Sequence, residues 1–368
     1  MNEKLLRFAA CLISALLGGG IFVLLHMPLP WLLGPIAATM IGSNLLKLKF
    51  YCPVFIRNTG LLLIGYSMGA SFTGNVLTLI AAQLPWMLLM TVMTLLFCFF
   101  LAYVNSKIAK IDYLTILTGS MPGAFSQMIN LGEEIEGINL TVVTFFHVIR
   151  LLMIVLIIPL MVFSPLFNTG NVLISGDLVF LQEWQWENLF PNALIFTVVT
   201  VLCALLGKKI RLPTPYLLGP VIGTAALCLI GVESFSLPPL MINVSQFCVG
   251  CYIGLLLKPQ QMTNMSKVVA CAIINGLFLI LFSWALSQIL VLLHGIPAET
   301  SFLCLAPGGM DQMGIIAHEK GAILSLVTCY QFFRSFFILF FMPPLLKLLW
   351  KYKHPLPSET GPLSNNED

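Results

Sequence analysis

From Asn58 to Ser106 the chain runs 49 residues without a single Lys, Arg, Asp or Glu. A helix needs about 20 mostly apolar residues to cross the hydrocarbon core of a bilayer, so this run has room for two spans. Comparable uncharged runs occupy residues 8–46, 151–176, 212–232, 234–257 and 268–298. In lipid only helices and closed barrels satisfy every backbone N–H and C=O, and long unbroken apolar runs lack the alternation of barrel strands. The expected fold class is therefore all-α, a polytopic membrane protein. With 58% hydrophobic and 9% charged residues, the chain cannot cover itself with the polar groups a soluble domain requires.

The apolar run after Arg7 continues past Gly18, Gly19 and Gly20 to His26 without an A-x-A-like site, which favours a retained first helix over a cleaved signal peptide. The ten cysteines lie mostly inside apolar runs and predict no disulfide framework. Cys248 and Cys251 have redox or metal spacing, but one pair inside a span reads more simply as small-residue packing. No basic cluster interleaved with aromatics suggests a nucleic-acid partner.

The chain repeats itself at a spacing of 185 residues. Pro28, Pro30, Gly34 and Pro35 reappear as Pro213, Pro215, Gly219 and Pro220, and Thr39 as Thr224. Asn58, Gly65 and Gly69 match Asn243, Gly250 and Gly254, while Pro122, Gly123, Gln127 and Met128 match Pro307, Gly308, Gln312 and Met313. At an offset of 184, Val143, Thr144, Arg150 and Pro159 match Val327, Thr328, Arg334 and Pro343. Chance similarity between apolar stretches would share Leu and Val, whereas these identities fall on Pro, Gly, Asn, Gln and Arg in one order. This is an internal duplication.

Five spans are expected in the first half, near 8–26, 29–46, 58–78, 84–105 and 139–163, with an interrupted apolar piece near 113–132 carrying Pro122-Gly123. If that piece dips in and returns, each half has five crossings and the second half is inverted. With the N-terminus inside, fifteen of the 18 basic residues are then cytoplasmic, Arg150 and Arg334 lie in the membrane, and Lys320 alone is outside. Six crossings per half would place six basic residues outside, against the enrichment of Lys and Arg in cytoplasmic loops. The expected architecture is two inverted repeats of five transmembrane helices, each with one re-entrant broken-helix segment. One repeat covers residues 1–163 and the other 189–350, with an extracytoplasmic connection at 164–188 and a disordered tail at 351–368. Both termini are cytoplasmic. The acidic segment of Glu133, Glu134 and Glu136 falls on the cytoplasmic side in this arrangement, an objection to it.

Helix breaks and buried polar groups mark the candidate site. Gly34-Pro35 and Gly219-Pro220 should bend or break the second span of each half. Pro122-Gly123 and Pro307-Gly308-Gly309 suit the tips of re-entrant hairpins lining a solute site, or merely allow close packing. Arg150 and Arg334, in mid-helix, need partners there. They read either as guanidinium groups that hold a carboxylate or phosphate, or as anchors that bond freed carbonyls. Gln127 and Gln312 could orient a ligand. Asp311, with Ser126 at its place in the first half, and His147 are candidate coupling groups, or an ion-pair partner and a hydrogen-bonded core histidine. No metal or cofactor site is expected, because His26, His147, His294, His318 and His354 form no ligand spacing.

The paired L-L-G-P motifs and the segment Ala306-Pro-Gly-Gly-Met-Asp-Gln-Met-Gly314 resemble the AbrB duplication family of bacterial membrane proteins, over roughly residues 10 to 350. The resemblance implies a multi-pass protein of the bacterial inner membrane. It brings labels of regulation of gene expression or ammonia monooxygenase, and no family catalytic residues. Without a metal cluster, the residues argue against an enzyme. They favour a secondary transporter of a small solute, anionic if the two arginines hold it; the alternative is a membrane-embedded regulator acting indirectly. The expected partners are the solute and the lipid bilayer, and a single copy and a homo-oligomer both fit.

Overall fold

The computed structural model describes residues 2–44, 46–72, 74–122, 128, 135, 137–167, 192–210, 212, 214–256 and 266–353. Gly123, Gln127, most of the connection between the halves and the tail from 354 onwards lie outside the described residues, as do Ser126, Glu133, Glu134 and Glu136. The first half consists of α1 (Asn2–Leu24), α2 (Pro30–Asn44), α3 (Val54–Ala70), α4 (Gly74–Ala109), α5 (Tyr113–Ser120) and α6 (Leu140–Val162). The second consists of α7 (Asn192–Lys209), α8 (Pro215–Ile230), α9 (Pro239–Leu256), α10 (Ser266–His294), α11 (Ala298–Leu305), α12 (Met310–Lys320) and α13 (Leu324–Lys353). No strand occurs among the described residues. Six helices, α1, α4, α6, α7, α10 and α13, are long and apolar enough to cross a membrane.

The helix boundaries carry the duplication into three dimensions. α2, α3 and α5 begin 185 residues before α8, α9 and α11, and α6 begins 184 before α13. Equivalent residues also meet. Phe97 stacks on Phe282 with ring centroids 3.9 Å apart, and a Cβ on Gly60 would lie 2.7 Å from the Ser245 carbonyl oxygen. Each pair is separated by 185 positions, the spacing of the duplication.

The contacts sort the helices into two bundles, each built from both halves. In the first, α1 packs on α2, α7 on α8, α2 on α9, α3 on α8 and α3 on α9. In the second, α4, α5 and α6 pack with α10, α11, α12 and α13. The principal described junction between the bundles is α12 and α13 against α3.

Glycines set the spacing of the first bundle. A Cβ on Gly34 would lie 2.5 Å from the Gly18 carbonyl oxygen, and one on Gly219 would lie 2.5 Å from that of Cys203. A Cβ on Gly65 would meet Leu217 O at 2.6 Å, and one on Gly250 would meet Leu32 O at 2.7 Å. Each half thus presses its α3-type helix onto the L-L-G-P helix of the other. Pro35 and Pro220 do not break these helices, since α2 and α8 run through them. Both prolines are buried. Close packing on both sides holds the helix where proline removes one internal hydrogen bond.

The sequence expectation for α3 was 58–78, whereas the helix begins at Val54 and stops at Ala70. Pro53 fixes its start, and Arg57, used as a boundary, lies inside its first turn over the Tyr252 ring at 5.1 Å.

Candidate functional site

The second bundle contains the interrupted helices. α5 and α11 are eight residues each, about 12 Å at 1.5 Å per residue, so they reach only part of the way through a core of about 30 Å. The two ends of each interrupted segment are bonded to one another. Thr115 Oγ, near the start of α5, accepts from the backbone N–H of Asn139, which caps α6, at 3.1 Å. Thr300 Oγ accepts in the same way from Ile323 N–H, just before α13, at 3.2 Å. Each interrupted segment therefore begins and ends side by side.

In the second half α11 stops at Leu305, and Ala306 to Gly309 separate it from α12. Proline lacks the N–H that would continue α11, so the last carbonyls of α11 need other donors. Arg334, from α13, supplies them. Its Nη1 donates to Leu305 O at 3.2 Å and Ala306 O at 2.8 Å, and its Nη2 donates to Gly308 O at 3.0 Å and to Gln331 Oε1. Gln331 Nε2 donates to the carbonyls of Leu303, Cys304 and Ala306 at 2.7, 3.3 and 3.2 Å. On the far side of the break, Gln312 Oε1 accepts from Gly309 N–H at 3.0 Å. A Cβ on Gly309 would lie 2.9 Å from that oxygen, so glycine leaves room for the turn-back.

The first half repeats the clamp. Arg150 Nη1 donates to Ser120 O and Met121 O, at 3.2 and 2.5 Å, where α5 ends before buried Pro122. His147, the counterpart of Gln331, turns Nδ1 to Val143 O at 3.0 Å within its own helix. Both arginines are buried, with exposures of 6% and 5%. A guanidinium at a helix C-terminus satisfies carbonyls and meets the negative end of the helix dipole.

The structure therefore brings Pro307, Gly308, Gly309, Gln312 and Arg334 together, and joins Arg150 to the residue preceding Pro122. It places Gly34, Pro35, Gly219 and Pro220 in the other bundle. Among the described residues no ion pair joins Asp311 to Arg150 or Arg334. Asp311 is half-buried in the first turn of α12, with its carboxylate against backbone N–H groups there. Beside Gly308 the tip touches the first half, since a Cβ there would come within 3.0 Å of Ile154 Cγ2.

A second polar chain was not foreseen. Gln83 Nε2 meets His294 Nδ1 at 3.2 Å, and Tyr330 donates to Gln83 Oε1 at 2.9 Å. Gln83 interrupting an apolar run was the available signal, but its partners lie 211 and 247 positions away. Where α12 meets α3, a crevice of 10 Å³ bordered by Ser67, Met68, Ser245, Gly314 and His318 has room for roughly one water.

Fold and site together define a membrane-type all-helical protein with polar clamps on interrupted helices. The profile of the family described as "Transition state regulatory protein AbrB" matches residues 31–350, and the chain belongs to this AbrB family. It is 26% identical over 356 residues to the protein named "Putative regulator AbrB" of Escherichia coli (strain K12), covering 93% of this chain and 96% of that protein. It is 24% identical over 300 residues to the "Uncharacterized protein YhjN" of Bacillus subtilis (strain 168), covering 79% and 77%. No solved structure matches.

Proposed function

We propose that this protein is a secondary transporter of a small solute, with the hairpin of α11 and α12 and the end of α5 forming the moving site. The observation that carries the reading is the paired clamp: backbone interrupted inside an apolar bundle is tolerated where it is buried or lines a cavity, and both halves keep it. The bundles, joined mainly through α12 and α13 on α3, can shift against one another about that junction. Arg334 holds the hairpin and Arg150 the end of α5, and the solute meets the tip at Pro307 to Gly309 between the bundles. Two buried guanidinium groups favour small organic anions as the first class to test.

Segments that begin and end side by side support five crossings per half, hence ten spans with inverted repeats and both termini cytoplasmic. In this reading α2, α3, α8 and α9 cross as well. Cysteines introduced at Lys208 and Lys209 should react with a membrane-impermeant maleimide only from the cytoplasmic side; labelling from outside would remove the inverted arrangement. The reading includes neither catalysis nor a metal or cofactor.

The test of transport is purified protein in liposomes, with uptake of radiolabelled small organic anions under an imposed proton or sodium gradient. Uptake that Gly308→Leu abolishes supports the proposal. The name of the Escherichia coli relative favours a second reading, a regulator. A regulator that acts without flux would keep its effect on gene expression in the Gly308→Leu variant.

A further inference from the structure

Where α4 turns into α5, a surface cavity of 520 Å³ is lined by Tyr103, Ser106, Lys107, Lys110, Asp112 and Tyr113, together with Ile111. The second half contains the same corner between α10 and α11. There the matching positions are Gln288, Val291, Leu292, Gly295, Pro297 and Ala298. Both cations, both phenols and the acid are gone, so the corner folds without them.

The backbone strengthens this comparison. Lys110 has φ 54° and its counterpart Gly295 has φ 62°, so both corners use the left-handed conformation that closes a helix. Glycine adopts it without strain, whereas a side chain costs about 1 kcal/mol there. The first half places a lysine where glycine is the easier residue. Lys107 lies one turn back, its Nζ 5.6 Å from the Tyr103 ring centre. Asp112 turns its carboxylate to its own helix, where Oδ2 accepts from Leu114 N–H at 2.9 Å and Thr115 N–H at 3.4 Å. Below the cavity Leu96, Phe100 and Tyr103 form an exposed apolar stripe along α4, 58%, 60% and 57% accessible.

A cationic cup with phenol hydroxyls above an apolar track matches one ligand chemistry, a phosphate ester carrying acyl chains. Lys and Tyr at the end of a spanning helix sit at headgroup level. We infer that this corner is a binding site for an anionic phospholipid, its phosphate between Lys107 and Lys110 and its chains along Leu96 and Phe100. The site stands independently of transport, because it needs only α4 in a bilayer.

The test uses the full chain purified in uncharged detergent and titrated with phosphatidylglycerol, phosphatidylcholine or inorganic phosphate. Retained lipid is read by native mass spectrometry and Tm by thermal shift. Lys110→Gly is the decisive variant, because it relaxes the backbone while removing the charge. It should fold as well as the parent without lipid, yet retain about fivefold less phosphatidylglycerol, and Lys107→Gln should lose a similar amount. Lys107→Arg should keep the lipid. The inference is overturned if these variants retain phosphatidylglycerol like the parent, or if phosphatidylcholine is held as tightly. It is also overturned if inorganic phosphate alone gives the same lysine-dependent shift, or if Lys208→Gln with Lys209→Gln loses as much lipid.

Discussion

In the bundle of α1–α3 and α7–α9, helices approach until the absence of a Cβ decides the distance: a Cβ on Gly65 or Gly250 would lie under 3 Å from a carbonyl oxygen of the opposite half. In the bundle of α4–α6 and α10–α13, the key contacts are polar, with Arg150 and Arg334 gathering the carbonyls at interrupted helix ends. Apolar contact between helices in lipid gains nothing from expelling water, so stability comes from close packing in one bundle and from satisfying backbone in the other. The proposed transport assigns the first bundle the part of a fixed frame, because a backbone cannot slide past a carbonyl at that range, and the second the part of the moving element, since a guanidinium fork can exchange one carbonyl for another.

Several substitutions would break or sharpen that contrast. The largest effect is expected in the frame. Gly65→Leu or Gly250→Leu drives side-chain atoms into backbone of the other half, beyond the ~1–3 kcal/mol of ordinary overpacking, and should eliminate monodisperse protein in fluorescence-detected size exclusion. Next is Arg334→Leu, which strips donors from Leu305, Ala306 and Gly308 and should cost ~3 kcal/mol, seen as a lower Tm. Arg334→Lys should fall between this variant and the parent, because one ammonium cannot reproduce a planar fork. An unchanged Tm in Arg334→Leu would refute the clamp as a source of stability.

Gly308→Leu should be milder for folding, because the nearest atom is the mobile end of Met313, at 2.7 Å. Expression and Tm should stay near normal while uptake is lost; equal loss of folded protein would make the tip a packing element. Smallest is Gln331→His, which gives the second clamp the residue of the first. It should lower Tm by the equivalent of ~1 kcal/mol, since the break keeps Arg334. A larger loss would mean that the two clamps differ in kind.

Much of the arrangement was legible beforehand. Pro307-Gly308 marked the break because proline cannot continue a helix, and the repeat marked Arg150 and Arg334 because mid-helix charge is costly enough to demand a partner. Which partner was not legible. Carbonyls carry no sequence signature, so Ser120, Met121 and Leu305 were invisible as acceptors, and an anion clamp and a structural anchor read alike. Gly34-Pro35 misled for a related reason: the same pair that breaks a helix also lets two helices touch, and only the neighbour determines which occurs.

The sequence by itself determined an all-helical membrane-type chain, its duplication and the helix ends before Pro122 and Pro307, because apolar length, Pro and Gly act through local backbone chemistry. Tertiary structure alone decided that the halves interleave into two bundles, that equivalent residues such as Phe97 and Phe282 meet, and that buried arginines cap helix ends. Those outcomes depend on which surfaces face each other, across 185 residues for Phe97 and Phe282 but only 28 to 30 for the arginine caps, and a one-dimensional pattern fixes the faces without naming their partners.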